Sequence, residues 1–230
     1  MTPVLVASAL VAGAVLGRVV DHRAVRSLSP VPVPVGGPPA APSHRVRVVG
    51  APLPELVGGV LAAVLVLRLG VTVELVPWLW FLAVGVLLAI VDLAEQRLPN
   101  RVVLPGIVVA LVLFTGSAAF DDGWPALRRA VLAAGACYLV LLVMVLVAPT
   151  GMGMGDVKLA AFLGLYLGWL GWPVVLAGFW LAFVLQAVLA LGLLAARRVG
   201  RKADLPFGPA LLGGTLLALL LTDGWALLPR

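Results

Sequence analysis

The sequence predicts an all-α polytopic membrane protein, a helical bundle of about eight transmembrane helices with no β-sheet core. Hydrophobic residues make up 63% of the chain and charged residues only 11%, whereas a soluble domain carries roughly 25% charge. The mean hydropathy is +1.16, and runs able to cross, or nearly cross, about 30 Å of hydrocarbon recur along the chain. Basic residues fall in short flanks between those runs, so the net charge of +6 reports membrane orientation, and nucleic acid is not expected as a partner.

The runs lie near 2–20, 54–69, 75–93, 102–119, 128–148, 157–170, 173–196 and 207–222. The first has no positive stretch ahead of it and is flanked by Arg18, Arg23 and Arg26, so it reads as a retained anchor rather than a cleaved signal. With the loop 21–53 it forms a first unit, 1–53, ahead of a membrane-embedded core at 54–230. That loop carries Pro30-Val31-Pro32-Val33-Pro34 and Pro38-Pro39, a composition for irregular or polyproline-like chain. Its histidines, His22 and His44, lack partners at ligand spacing, so no metal is expected there. The sixth run is short and stops at Gly171-Trp172-Pro173, and the eighth follows a Pro-Phe-Gly-Pro turn. Short or broken helices at membrane depth are expected to line a cavity, where protein or water satisfies the backbone.

Glycines four apart, Gly13 with Gly17 and Gly164 with Gly168, predict close helix packing. Trp78, Trp80, Trp169, Trp172 and Trp225 fall near run ends and predict an interfacial belt. Cys137 is the single cysteine and is expected to be a small packing residue.

If 21–53 is cytoplasmic, alternation places every Lys and Arg inside except Arg68, Arg128, Arg129 and Arg230, out of 16. The positive-inside rule then predicts both termini outside. Asp92, closing the third run, and Asp156, opening the sixth, fall on the same cytoplasmic side. Ionisable groups at membrane depth are costly and usually functional. Asp156 follows the alternating glycines Gly151, Gly153 and Gly155, which permit positive φ or close backbone approach.

With no Ser/His or Cys/His pair and no metal cluster, amide hydrolysis here would use two carboxylates sharing a water, one protonated and one ionised. Helix-terminus charge suggests Asp156, at an N-terminus, as general base and Asp92, at a C-terminus, as general acid. Lys158 and Arg97 could reverse that order. On these residues alone, a structural network of Asp92 with Arg97 and Asp156 with Lys158 stands as an equal reading.

Gly-Met-Gly-Met-Gly-Asp-Val-Lys-Leu at 151–159 resembles the signature of the type IV prepilin leader peptidases, membrane aspartic proteases of the Gly-x-Gly-Asp class. Asp92-Leu-Ala-Glu-Gln-Arg-Leu-Pro-Asn100 resembles the family's other catalytic segment. Pro206-Phe207-Gly208-Pro209, with Lys202 ahead of it, resembles its C-terminal turn, and Glu55-Leu56 is similar to the family at the second run. The resemblance covers 54–230. It implies Asp92 and Asp156 as catalytic aspartates, with Gly153 and Gly155 shaping the loop that presents Asp156. It also places Lys158 and the 206–209 turn at the site.

The substrates implied are type IV prepilins or the pseudopilins of type II secretion, cut after a glycine at the cytoplasmic face of the bacterial plasma membrane. No cofactor is implied. Glu95, Asp156 and Asp204 offer contacts for a basic leader, and anionic lipid in the bilayer can gather it at the surface. Loop 21–53 carries no cysteine, whereas many family members that also methylate the new N-terminus from S-adenosylmethionine carry Cys-x-x-Cys pairs there. A peptidase without the methyltransferase is therefore expected. The alternative is a non-enzymatic transporter or pilus-assembly component, using the aspartates for ion coupling or packing. No internal repeat of the kind transporters show is present.

Overall fold

A computed structural model describes residues 53–96, 98–148, 152–197 and 205–221. The predicted first run, loop 21–52, Arg97, Gly151, Lys202, Asp204 and Trp225 lie outside them. Every described element is helical: α1 (Leu53–Leu69), α2 (Leu75–Glu95), α3 (Asn100–Asp121), α4 (Trp124–Val147), α5 (Met154–Leu170), α6 (Trp172–Ala195) and α7 (Gly208–Leu221). Four of them, α2, α3, α4 and α6, are long and apolar enough to cross a membrane. The expected count of about eight therefore becomes, among the described residues, four such helices and three shorter ones. The chain is a membrane protein: Leu132, Leu146 and Leu176 are 64%, 71% and 72% exposed on α4 and α6, positions that suit lipid and not water.

The turns follow from local chemistry. Gln96 takes a left-handed conformation (φ 51°) and closes α2 by donating its N–H to the Asp92 carbonyl at 2.9 Å. Pro99, in an extended conformation, then opens α3. Asp122 repeats the left-handed exit at the end of α3, and Pro125 sits in the first turn of α4, where a missing N–H costs nothing.

The short helix α5 is the centre of the bundle. Its residues from Phe162 through Leu170 are all buried, with no polar side, as expected of a helix wrapped by others. It lies against α4 with almost no gap. A Cβ on Gly164 would sit 2.8 Å from the Ala133 carbonyl oxygen, and one on Gly168 would sit 2.5 Å from the Ala133 Cβ and 2.9 Å from the Ala130 Cα. Gly164 and Gly168 thus mark close packing, as their spacing predicts, and Cys137 is buried on the α4 face that carries Ala130 and Ala133. Gly168→Val should lower the unfolding free energy by about 1–3 kcal/mol, the usual cost of overpacking. Thermal denaturation in detergent reads this directly, and an unshifted midpoint would refute the packing account.

One expectation is corrected here, and one cation gains a role. Trp78 and Trp169 are 0% and 2% exposed, not interfacial. They join Phe81, Phe114 and Phe162 around Tyr166, whose ring lies 4.9 to 5.2 Å from Trp78, Phe81, Phe114 and Phe162. The Tyr166 hydroxyl donates to the Pro77 carbonyl at 2.9 Å. Helix ends that abut other helices bury their tryptophans; Trp172, where α6 faces outward, is exposed. Arg129, expected simply among the cations outside, donates to the Gly168 and Trp169 carbonyls at 2.8 and 2.7 Å. It satisfies the open C-terminus of α5, a structural reason for a cation at that end.

Candidate active site

Asp92 lies in the last turn of α2 and is 4% exposed. Its Oδ2 accepts the Gly208 N–H at 2.9 Å. That amide belongs to the first turn of α7, where helix geometry supplies no acceptor. The Pro-Phe-Gly-Pro turn explains the arrangement. Pro209 suits a helical first turn because it needs no N–H there. Phe207 is buried and its ring lies 5.2 Å from that of Phe183 on α6. Gly208 admits the carboxylate, since a Cβ at that position would sit 2.6 Å from Asp92 Oδ2.

Asp156 lies in the first turn of α5 and is 9% exposed. Its Oδ2 accepts the Gly153 N–H at 3.2 Å, so it caps the helix it opens. Burial, then the charge of Asp92, push the Asp156 carboxyl above the ordinary carboxylate range, against the opposing pull of the Gly153 N–H. Asp156 precedes the apolar run that begins at 157, and Asp92 is near enough for its charge to be felt there.

Three contacts hold the helix ends together. Lys158 Nζ donates to Asn100 Oδ1 at 2.6 Å, tying α5 to α3. Gly155 packs on the Leu98 segment so closely that a Cβ would lie 2.9 Å from Leu98 Cβ. Gly208 joins α7 to α2. The C-terminus of α2 and the N-termini of α3, α5 and α7 therefore meet at one end of the bundle, around Asp92 and Asp156.

The remaining predicted site residues are distributed as follows. Gly155 serves close approach, not positive φ. Gly153 has φ −87° and room for a Cβ, whose nearest contact would be 3.8 Å away; its backbone N–H, rather than its missing side chain, serves Asp156. Glu95 is partly exposed one turn past Asp92, and Pro206 and Pro209 are partly buried in the turn that leads into α7. The ion pair of Asp156 with Lys158 is not formed, because Lys158 reaches Asn100 instead. Sequence reading also missed Asn100 as a structural partner, although Leu-Pro-Asn lies within the quoted segment. Among the described residues no cluster of three or more His, Cys, Asp or Glu could hold a metal ion.

These features define a class: a polytopic helical membrane protein with two buried aspartates gathered at one end of the bundle. Residues 78–193 match the Type IV leader peptidase family. The chain belongs to that family. It is 30% identical over 183 residues to the prepilin leader peptidase/N-methyltransferase of Bacillus subtilis (strain 168), covering 78% of this chain and 69% of that protein. It is 34% identical over 179 residues to the protein of the same description from Aeromonas salmonicida (strain A449), covering 75% of this chain and 58% of that one. The Pseudomonas putida protein of that description is 34% identical over 180 residues, covering 75% and 59%. The chain thus spans between somewhat over half and about two thirds of these relatives' length. No solved structure shows a significant match.

Proposed function

We propose that this chain is an integral-membrane aspartic endopeptidase that removes the basic leader of type IV prepilin or pseudopilin substrates at the cytoplasmic membrane face. The observation that carries the reading is the convergence of Asp92 and Asp156, each buried and each held by a backbone N–H, in a member of the leader peptidase family.

In this mechanism the pair holds one proton between two carboxylates and a water. The ionised carboxylate takes a proton from the water as its oxygen bonds to the scissile carbonyl carbon, and the protonated one gives its proton to the carbonyl oxygen. The tetrahedral diol then collapses: one hydroxyl gives its proton to the ionised carboxylate as the C–N bond breaks, and the amide nitrogen leaves with the proton of the other carboxyl, which returns the pair to one proton. The helix-terminus argument for assigning base and acid does not carry over from the sequence. Asp92 ends α2 but also accepts an N–H at the start of α7, so both aspartates meet a helix N-terminus. The proton belongs to the pair.

Glu95, partly exposed one turn past Asp92 on α2, is the side chain in this reading that would contact a Lys- or Arg-rich leader. Loop 21–53 lacks cysteine, which supports peptidase action without methyl transfer.

Two measurements test this. The purified chain in vesicles, given a single-span precursor with a short basic leader, should release the leader by one cut, read by mass. Recovery of intact precursor overturns the reading. The pH dependence of kcat/KM should be bell-shaped, because activity needs one proton on the pair. It falls at low pH as both carboxyls become protonated, and falls again as pH rises through the upper ionisation, which the raised Asp156 carboxyl places above the ordinary carboxylate range. A profile with one ordinary carboxylate ionisation counts against a coupled pair.

A further inference from the structure

We propose that Gln186, on α6, binds a backbone N–H of the substrate beside the scissile bond, holding the peptide extended next to Asp92. The inference rests on the peptidase reading above and assigns the site a peptide-binding residue on a third helix.

Gln186 is a polar residue in the middle of a 24-residue apolar helix, and its buried Oε1 has no hydrogen-bond partner. A buried acceptor left unmade costs free energy comparable to a lost hydrogen bond, so it calls for a physical reason. The other buried polar atoms among the described residues without a close hydrogen bond are Glu74 Oε2, Trp78 Nε1 and Trp169 Nε1, of which Glu74 and Trp169 face one another. They lie at the opposite end of the bundle, by the start of α2 and the end of α5. Gln186 lies at the aspartate end.

The packing of α6 on α7 fixes its level. A Cβ on Gly214 would lie 2.5 Å from the Ala182 nitrogen, a Cβ on Gly213 would lie 3.3 Å from Leu185 Cδ1, and the Phe183 and Phe207 rings are 5.2 Å apart. The two helices run antiparallel. Gln186 is one turn beyond Ala182 on the same face, so it stands one turn nearer the start of α7 than Gly214 does. That first turn is the one whose Gly208 N–H holds Asp92. Flanking Gln186 on α6, Phe183 and Leu189 are 38% and 45% exposed, so the sides of the helix next to the packed face are open to an apolar segment arriving through the lipid.

A substrate that reaches the aspartates from an apolar helix must unwind around the bond to be cut. Unwinding frees peptide N–H and C=O groups where water is scarce, and each unsatisfied group there costs several kcal/mol. A carboxamide presents an acceptor and a donor on one planar group, so it matches a peptide unit, and its unpartnered oxygen fits an N–H. Contacts of this kind hold ground state and transition state alike and appear in KM.

The test uses the full chain in lipid vesicles and a precursor series in which single peptide bonds around the cleavage site are replaced by esters, each removing one N–H. The native chain should lose about tenfold in kcat/KM at one ester position, the size of a lost hydrogen bond in a dry site. Gln186→Met, close in length, should show KM raised about tenfold on the all-amide precursor with kcat within about twofold, and no further loss at that ester position. If Gln186→Met does not fold, Gln186→Leu and Gln186→Asn take its place, and the ester series on the native chain decides independently. The proposal is overturned if no ester slows the native chain, or if the ester penalty persists undiminished without the carboxamide. Asp92→Asn separates the two readings: cleavage surviving in that variant sinks the peptidase assignment, whereas cleavage lost there but native KM in Gln186→Met sinks only the role of Gln186.

Discussion

Asp92→Asn and Asp156→Asn should each reduce leader removal by about ten-thousand-fold or more, because residues that act as one unit lose nearly the whole chemical contribution when either is removed. The substitutions are close to isosteric, and the amide oxygen of an asparagine can still accept from the Gly208 N–H at position 92 or the Gly153 N–H at position 156. Neither exchange leaves a buried ion unpaired. Folding should therefore persist, and thermal unfolding in detergent should move little. Conversion of a precursor to its mature form, followed on a gel for each purified variant, gives the answer. Leader removal at the native rate by either variant would exclude a two-carboxylate mechanism, and loss of activity together with loss of folding would point to the structural network instead.

Gly208→Ala should lower kcat by about a hundredfold, the penalty for displacing a catalytic group by about 1 Å. The added methyl would sit 2.6 Å from Asp92 Oδ2, 3.1 Å from its Cγ and 3.4 Å from its Cβ. No single rotation clears all three, so either the carboxylate turns away or α7 moves off α2. Alanine keeps the backbone N–H, so the loss is steric and does not come from a missing donor. Gly213→Ala on the same helix is the control. Its Cβ meets only the end of the Leu185 side chain, at 3.3 Å, and that flexible group can yield. If both variants cleave equally well, this position of Asp92 is not the one used in catalysis.

The two results bear on different features of the same site. The aspartates were legible in the sequence because charge within apolar runs is conspicuous, and the glycine-rich segment and the Leu-Pro-Asn turn gave each a context. The role of Gly208 was less so. Pro-Phe-Gly-Pro marked a turn, but nothing in its residues says that the glycine is needed to admit a side chain 116 positions away. Gln186 passed unremarked for a similar reason: one amide in a helix is ordinary until its oxygen is found buried without a partner.

A helical, membrane-embedded chain, the approximate ends of most helices, and Asp92 and Asp156 as the ionisable residues at those ends all follow from the order of residues alone. Proline, left-handed exits and the length of apolar runs are local properties, so local residues suffice to set them. It took the assembled bundle to show that Trp78 and Trp169 belong to the core, that Arg129 closes α5, that Lys158 reaches Asn100 and not Asp156, and that α7 brings an N–H to Asp92. In a bilayer the lipid tails are as apolar as leucine, so hydropathy does not distinguish the face of a helix that meets protein from the face that meets lipid. That choice is made by close fit between particular surfaces, such as Gly168 on Ala133 or Gly214 on Ala182, and fit exists only once the helices are assembled.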